Sequence, residues 1–227
     1  MYIENIAKLI VCLFMFSFMP AIAVDDGECM NILKNNIQNK FLTIRGVNFF
    51  NGAGTAEIYR VFGHTERIDL PRKGRNFFAL CYISEPNKIG LYFELYQEPI
   101  KDTVYLIRMV NNYSKDPLFL SHVSECKKKR LNHNYLETGS GISLEASKDN
   151  IFRILCNNIK LLENDIYIFK IEDEIYKDIK KRKDDSILIE TISYSLEITI
   201  RFTNETHKPI FLQYYISTEG GVKWMDI

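Results

Sequence analysis

The apolar run Leu9–Phe18 constrains this chain more than any other feature, because it decides the compartment in which the rest folds. A short polar start precedes it, with one acid, Glu4, and one base, Lys8. Pro20 ends it, and Ala21-Ile22-Ala23 supplies a small-x-small cleavage pattern. The run is too short to cross a hydrocarbon layer, which takes about 20 apolar residues. Residues 1–23 are therefore expected to be a cleaved signal peptide. The working chain would then begin near Val24, carry no transmembrane segment, and reside in the periplasm or outside the cell.

Export changes the meaning of the cysteines. Of five, Cys12 leaves with the leader, and Cys29, Cys81, Cys126 and Cys156 remain. An even number in an oxidising compartment points to disulfides, and four cysteines allow three connectivities. Cys81 lies in a strand-like run and Cys126 follows the next strands of the same half. This favours Cys81–Cys126, with Cys29–Cys156 as the second bond. A metal site is a poor fit. No Cys-x-x-Cys occurs, and the histidines His64, His122, His133 and His207 are scattered. His122, Cys126 and His133 come nearest to a ligand set, short of the four tight ligands of structural zinc. No cofactor is expected.

Two stretches of the chain resemble each other. Glu57–Gly63 (EIYRVFG) lies over Asn150–Cys156 (NIFRILC), with Ile and Arg identical and three like-for-like exchanges. Upstream, Gly46-Val47-Asn48-Phe49 matches Gly141-Ile142-Ser143-Leu144 after a two-residue slip. Each copy reads as a short amphipathic helix. Ile58, Val61 and Phe62, and likewise Ile151, Ile154 and Leu155, fall at helical spacing on one face. Thr55 and Ser147 are the expected N-caps, Gly63 the expected stop, and the two arginines belong to solvent.

Strands should follow each helix. Phe77–Ser84, Leu91–Tyr96 and Val104–Val110 are rich in β-branched and aromatic residues, with turns at Pro86-Asn87 and Glu98-Pro99. In the second half the strands are Asp165–Ile171, Ile187–Phe202 and Pro209–Ser217, with a turn over Asn204–Lys208. Ser193–Phe202 alternates polar and apolar, as a half-buried antiparallel strand does. A further helix is expected over residues 29–39. With 15 Phe and 13 Tyr the chain can build a core. The expected fold is α+β: two similar modules, residues 24–130 and 131–227, each a short helix or helices on an antiparallel β-meander.

The segments Gly141–Leu144, Ser147 and Asn150–Leu155 resemble a pattern of two families. These are the SmpA/OmlA family of outer-membrane assembly lipoproteins and the tandem β-lactamase-inhibitor proteins. In both, a helical pair rests on an antiparallel sheet, and the resemblance implies that module here. The proline that usually follows the helix is missing, Cys156 stands where the glycine would be, and the lipid-carrying cysteine is absent. Fold is implied by this likeness; activity is not, since one fold serves many roles.

Several segments invite a chemical reading. His122 and Cys126, four apart and followed by Lys127–Arg130, suggest a cysteine nucleophile, but the neighbours predict no helix and the leader predicts a half-cystine. Asn51–Thr55 has the glycines of a phosphate loop without its lysine or spacing, and reads as a turn into a helix. The basic runs Lys127–Arg130 and Lys177–Lys183 read as solvated loops, or as docking points for an acidic surface. Asn112-Tyr113-Ser114 and Asn204-Glu205-Thr206 are glycosylation sequons in a eukaryotic host. Lysine plus arginine equal aspartate plus glutamate, 29 each, which argues against a nucleic-acid partner. The expectation is an exported, non-enzymatic binding or envelope-associated protein, with a protein or cell-envelope component as partner. The alternatives are a secreted enzyme inhibitor, acting through loops such as Asp69–Arg75, and an exported hydrolase using Cys126.

Overall fold

The computed structural model describes residues 26–36, 41–71, 73, 76–97, 102–132, 136–183 and 186–226. The expected leader (residues 1–23), the expected turn at Glu98-Pro99 and His133 lie outside the described residues. The fold is mixed α+β, with several helices and a large antiparallel sheet.

The chain opens with helix α1 (Asp26–Asn36), then a small hairpin of β1 (Thr43–Ile44) and β2 (Val47–Asn48). A 3-10 turn at Phe49–Asn51 leads to helix α2 (Thr55–Phe62). Strands β3 (Ile68–Asp69), β4 (Phe77–Ser84), β5 (Ile89–Gln97) and β6 (Asp102–Val110) follow. Helix α3 (Pro117–His122) and short strand β7 (Lys127–Lys128) close the first half. The second half holds α4 (Lys148–Ile154), β8 (Lys160–Glu163), β9 (Ile166–Lys183), β10 (Ser186–Phe202) and β11 (Pro209–Asp226).

The nine-stranded sheet has the order β3-β4-β5-β6-β11-β10-β9-β8, with β7 parallel on the edge of β4. Each half contributes a meander, and the last strand of one, β6, pairs antiparallel with the last strand of the other, β11. One sheet therefore runs through both expected halves. So does the main core, which gathers Leu33 of α1, Ile58 and Phe62 of α2, and Ile151 of α4 over one sheet face. That face presents Phe78, Leu80 and Tyr82 on β4, Phe93 on β5 and Leu212, Tyr214 and Ile216 on β11. Burying each such apolar side chain stabilises by roughly 1.5–3 kcal/mol. The opposite face of the first half has its own core, in which Ala79, Cys81, Ile83 and Tyr92 lie under Phe119 of α3. Strand β4 is thus buried on both faces, which is why its sequence is an apolar run and not an alternation.

Helix α2 starts at Thr55 itself: Gly54 is the N-cap, and its N–H donates to Glu57 Oε2 at 2.9 Å. Thr55 therefore does not cap; its hydroxyl donates to Asp102 Oδ2 at 2.6 Å and ties the helix to β6. Ser147 does cap, accepting from the Asn150 N–H at 3.2 Å. Gly63 ends α2 at φ 80°, and Cys156 takes a left-handed φ of 55° after α4.

Three expectations are corrected. Strands β9 and β11 continue to Lys183 and Asp226, beyond the expected ends at Ile171 and Ser217. The basic run Lys177–Lys183 is strand and not loop, because pairing with β10 satisfies its backbone whatever its side chains. Residues 117–122 form a helix that the sequence did not suggest, capped by Asp116, which accepts from the Leu118 N–H at 3.0 Å.

Candidate functional site

Strand β11 pairs with β6 only from Phe211 to Tyr215, yet it pairs with β10 all the way to Asp226 opposite Ser186. The three strands β9, β10 and β11 therefore leave the body of the sheet together as an arm. At about 3.3 Å per residue, β11 extends about 35 Å past Tyr215. Where the arm parts from β6 there is a cleft of about 250 Å³.

The cleft is aromatic. Phe49, Phe50, Phe77, Tyr96, Tyr105 and Tyr215 line it, with Thr103 supplying a hydroxyl. Its centre is Tyr105, whose position comes from a bulge: Glu94 pairs with Leu106 and Leu95 with Val104, so Tyr105 is the extra residue. Such a bulge re-aims a side chain. Edge-to-face contacts put its ring 5.6 Å from Phe77 and 6.0 Å from Tyr215. Tyr96 and Tyr215 remain open to solvent, the latter at 45%.

A charged group backs this wall. The Tyr105 hydroxyl donates to the buried carboxylate of Glu94, which also receives the ammonium of Lys73. Lys73 Nζ stands 3.3 Å from the Tyr105 hydroxyl oxygen. Burial, then the Glu94 hydrogen bond and charge, push the Tyr105 phenol well above its ordinary value, so it stays neutral. The only described part of the inhibitor-type loop that bears on this site, Lys73, is thus engaged with Glu94. The arrangement offers stacking faces and hydroxyls in a half-closed groove. Such a surface can accommodate an apolar or aromatic side chain, and among the described residues that line it no nucleophile is aligned with a base.

The residues singled out from sequence lie elsewhere. Cys81 is bonded to Cys126 and Cys29 to Cys156. With its sulfur in that bond, Cys126 carries no thiolate, and His122 instead places Nδ1 3.1 Å from Glu125 Oε1. Among the described residues no group of three or more His, Cys, Asp or Glu side chains could hold a metal ion. His64 and His207 lie apart, each on the surface. Lys127 and Lys128 form β7, and Gly52 of the Asn51–Thr55 segment turns at φ 68° on the rim of the cleft. Among the described residues no helix is long and apolar enough to cross a membrane.

No family model, curated protein or solved structure matches this chain.

Sequence reasoning missed the cleft because its walls come from five separate segments. Composition offered one signal: tyrosines at 96, 105 and 215 occur at or beside expected strand ends, where an aromatic ring is not needed for the core.

Proposed function

We propose that residues 24–227 are an exported, non-catalytic binding protein that takes up an extended segment of a protein partner. The segment lies along the outer edge of β11 and sets an apolar or aromatic side chain into the cleft at its base. The observation that carries this reading is the edge itself. From Ile216 to Asp226, β11 pairs with β10 on one side and with no described residue on the other. An open strand edge with unpaired N–H and C=O groups is a template for strand addition, and a pocket beside it supplies selectivity.

Export through a leader cleaved near Val24 is part of the proposal, supported by the two disulfides, which persist in oxidising compartments. A periplasmic or extracellular site, and an envelope role, follow from the same argument. The tandem-module ancestry implied by the SmpA/OmlA and β-lactamase-inhibitor resemblance is also proposed. Its support is the mirrored order of the meanders β4-β5-β6 and β11-β10-β9, each preceded by a short helix. The inhibitor alternative differs only in the partner, an enzyme supplying the extended segment.

The test is selection of displayed random peptides on the oxidised mature chain. Peptides with aromatic or large apolar residues should enrich, and Tyr215→Ala or Tyr96→Ala should weaken their binding about tenfold, or 1.4 kcal/mol. Leu161→Ala, on distant β8, should not. Absence of enrichment, or binding indifferent to both tyrosines, rejects the reading.

A further inference from the structure

Among the described residues neither edge of the arm is covered by a further strand, and the two edges are built differently. On β9 the register with β10 slips twice, leaving Lys177 and Lys180 as extra residues. Lys181, Arg182 and Lys183 follow on the same strand. Bulges and lysines are the devices by which proteins blunt an edge against pairing. Strand β11 is less guarded. Its register with β10 is unbroken from Phe211 to Asp226, and beyond Tyr215 its sequence, ISTEGGVKWMD, has one lysine. One edge is closed to strand addition and the other is left open.

The sequence of the open edge is complementary to itself. Glu219 and Lys223 stand two residues to either side of Gly221. If two copies of β11 pair antiparallel about Gly221, each Glu219 falls opposite a Lys223 of the other copy, twice per pair. The same register sets Ser217 opposite Met225, and Ile216 opposite Asp226. Ile216 and Ser217 line the aromatic cleft, so the end of one copy's β11 arrives at the cleft of the other. Opposite charges directly across antiparallel strands favour pairing, and like charges oppose it. A two-fold contact of this kind is isologous and closes on itself.

We propose that the occupant of the β11 edge is the β11 of a second copy of this chain, giving a two-fold dimer with a continuous six-stranded arm. This rests on the strand-addition reading above and names its partner. Pairing Ile216–Asp226 with its counterpart adds about ten backbone hydrogen bonds between copies.

The experiment is sedimentation of the oxidised mature chain across the micromolar range, with charge-reversed variants. The expected result is a monomer–dimer equilibrium whose midpoint rises at least tenfold with Glu219→Lys or with Lys223→Glu. Mixing those two variants restores a dimer, as does the double variant carrying both changes. In a second measurement, Gly221→Cys should link to its own copy under non-reducing conditions, since position 221 faces itself across the axis. A monomer at all concentrations overturns the proposal. So does a dimer insensitive to both reversals and unlinked through position 221. The peptide selection is repeated on monomeric Glu219→Lys protein, where the cleft is unoccupied. Peptide capture there with no self-association in the parent chain overturns the second copy alone; no capture and no dimer overturn the strand-addition reading with it.

Discussion

Tyrosine hydroxyls show how much one polar atom weighs inside this sheet. Tyr82 and Tyr214 are both fully buried on the face that carries the main core. The Tyr82 hydroxyl donates to the Gly63 carbonyl at 2.7 Å and so fastens β4 to the end of α2. The Tyr214 hydroxyl finds no partner among the described residues. Removing a hydrogen-bonded hydroxyl strands its acceptor, whereas removing an unpartnered one relieves a desolvation cost. Tyr82→Phe should therefore lower stability by about 1 kcal/mol, and Tyr214→Phe should leave it unchanged or raise it by a similar amount. Denaturant midpoints of the two variants check this; equal losses would contradict it. Little of this contrast was legible in sequence, where both residues are tyrosines in strands. The pairing of Cys81 with Cys126 and of Cys29 with Cys156 was more legible, because four cysteines allow only three connectivities.

Helix α3 is held by a close approach at the scale of elements. Gly90 on β5 lies under Phe119, and a Cβ there would come within 2.5 Å of the ring. Phe119 is fully buried and bounded by Tyr92 at 6.0 Å, so the ring has nowhere to retreat. Gly90→Ala should push α3 off the sheet and cost about 1–3 kcal/mol, as overpacking does. Hydrogen exchange should then rise in residues 117–122 before it rises in α2; unchanged protection there would count against the packing argument. The helices α2 and α4 were readable from their apolar spacing because each carries its own amphipathic signal. Helix α3 was not: in six residues, PLFLSH, the stripe is too short to show a period. Its stability comes from the Asp116 cap and from Arg108, whose Nη2 reaches Asp116 at 2.6 Å from the neighbouring strand. Such partners are brought together by tertiary structure and leave no local trace.

For the whole molecule, four phenols predict behaviour in alkali. Tyr82, Tyr92, Tyr105 and Tyr214 are all held well above the ordinary tyrosine value, chiefly by burial. The unfolded chain ionises these groups near pH 10 while the folded chain keeps them protonated. Their contribution is thus fully present below about pH 10 and is lost as pH rises beyond it. Denaturant titrations on either side of that pH, with disulfide integrity verified, should show the decline; a flat profile would refute it. The disulfides act over the same scale. Cys81–Cys126 spans 45 residues and Cys29–Cys156 spans 127. Loop entropy assigns them about 4 and about 5 kcal/mol, of which about 2–4 is typically realised. Replacing either pair by serine should lower Tm by about 5–15 °C, measured by calorimetry, and an unchanged Tm would show the bond to be idle.

Properties that travel with a local segment were legible in residue order: the helices α2 and α4, the alternation of Ser193–Phe202 and the α+β class. Each depends on neighbours within one turn or one strand, and periodicity records such neighbours. The merging of both meanders into one sheet, the extent of β9 and β11, the helix α3 and the aromatic cleft were decided by folding in three dimensions. In each, the stabilising partner lies far along the chain, as Tyr215 does from Tyr105, and backbone pairing carried charged segments into strands that their composition alone would have left as loops.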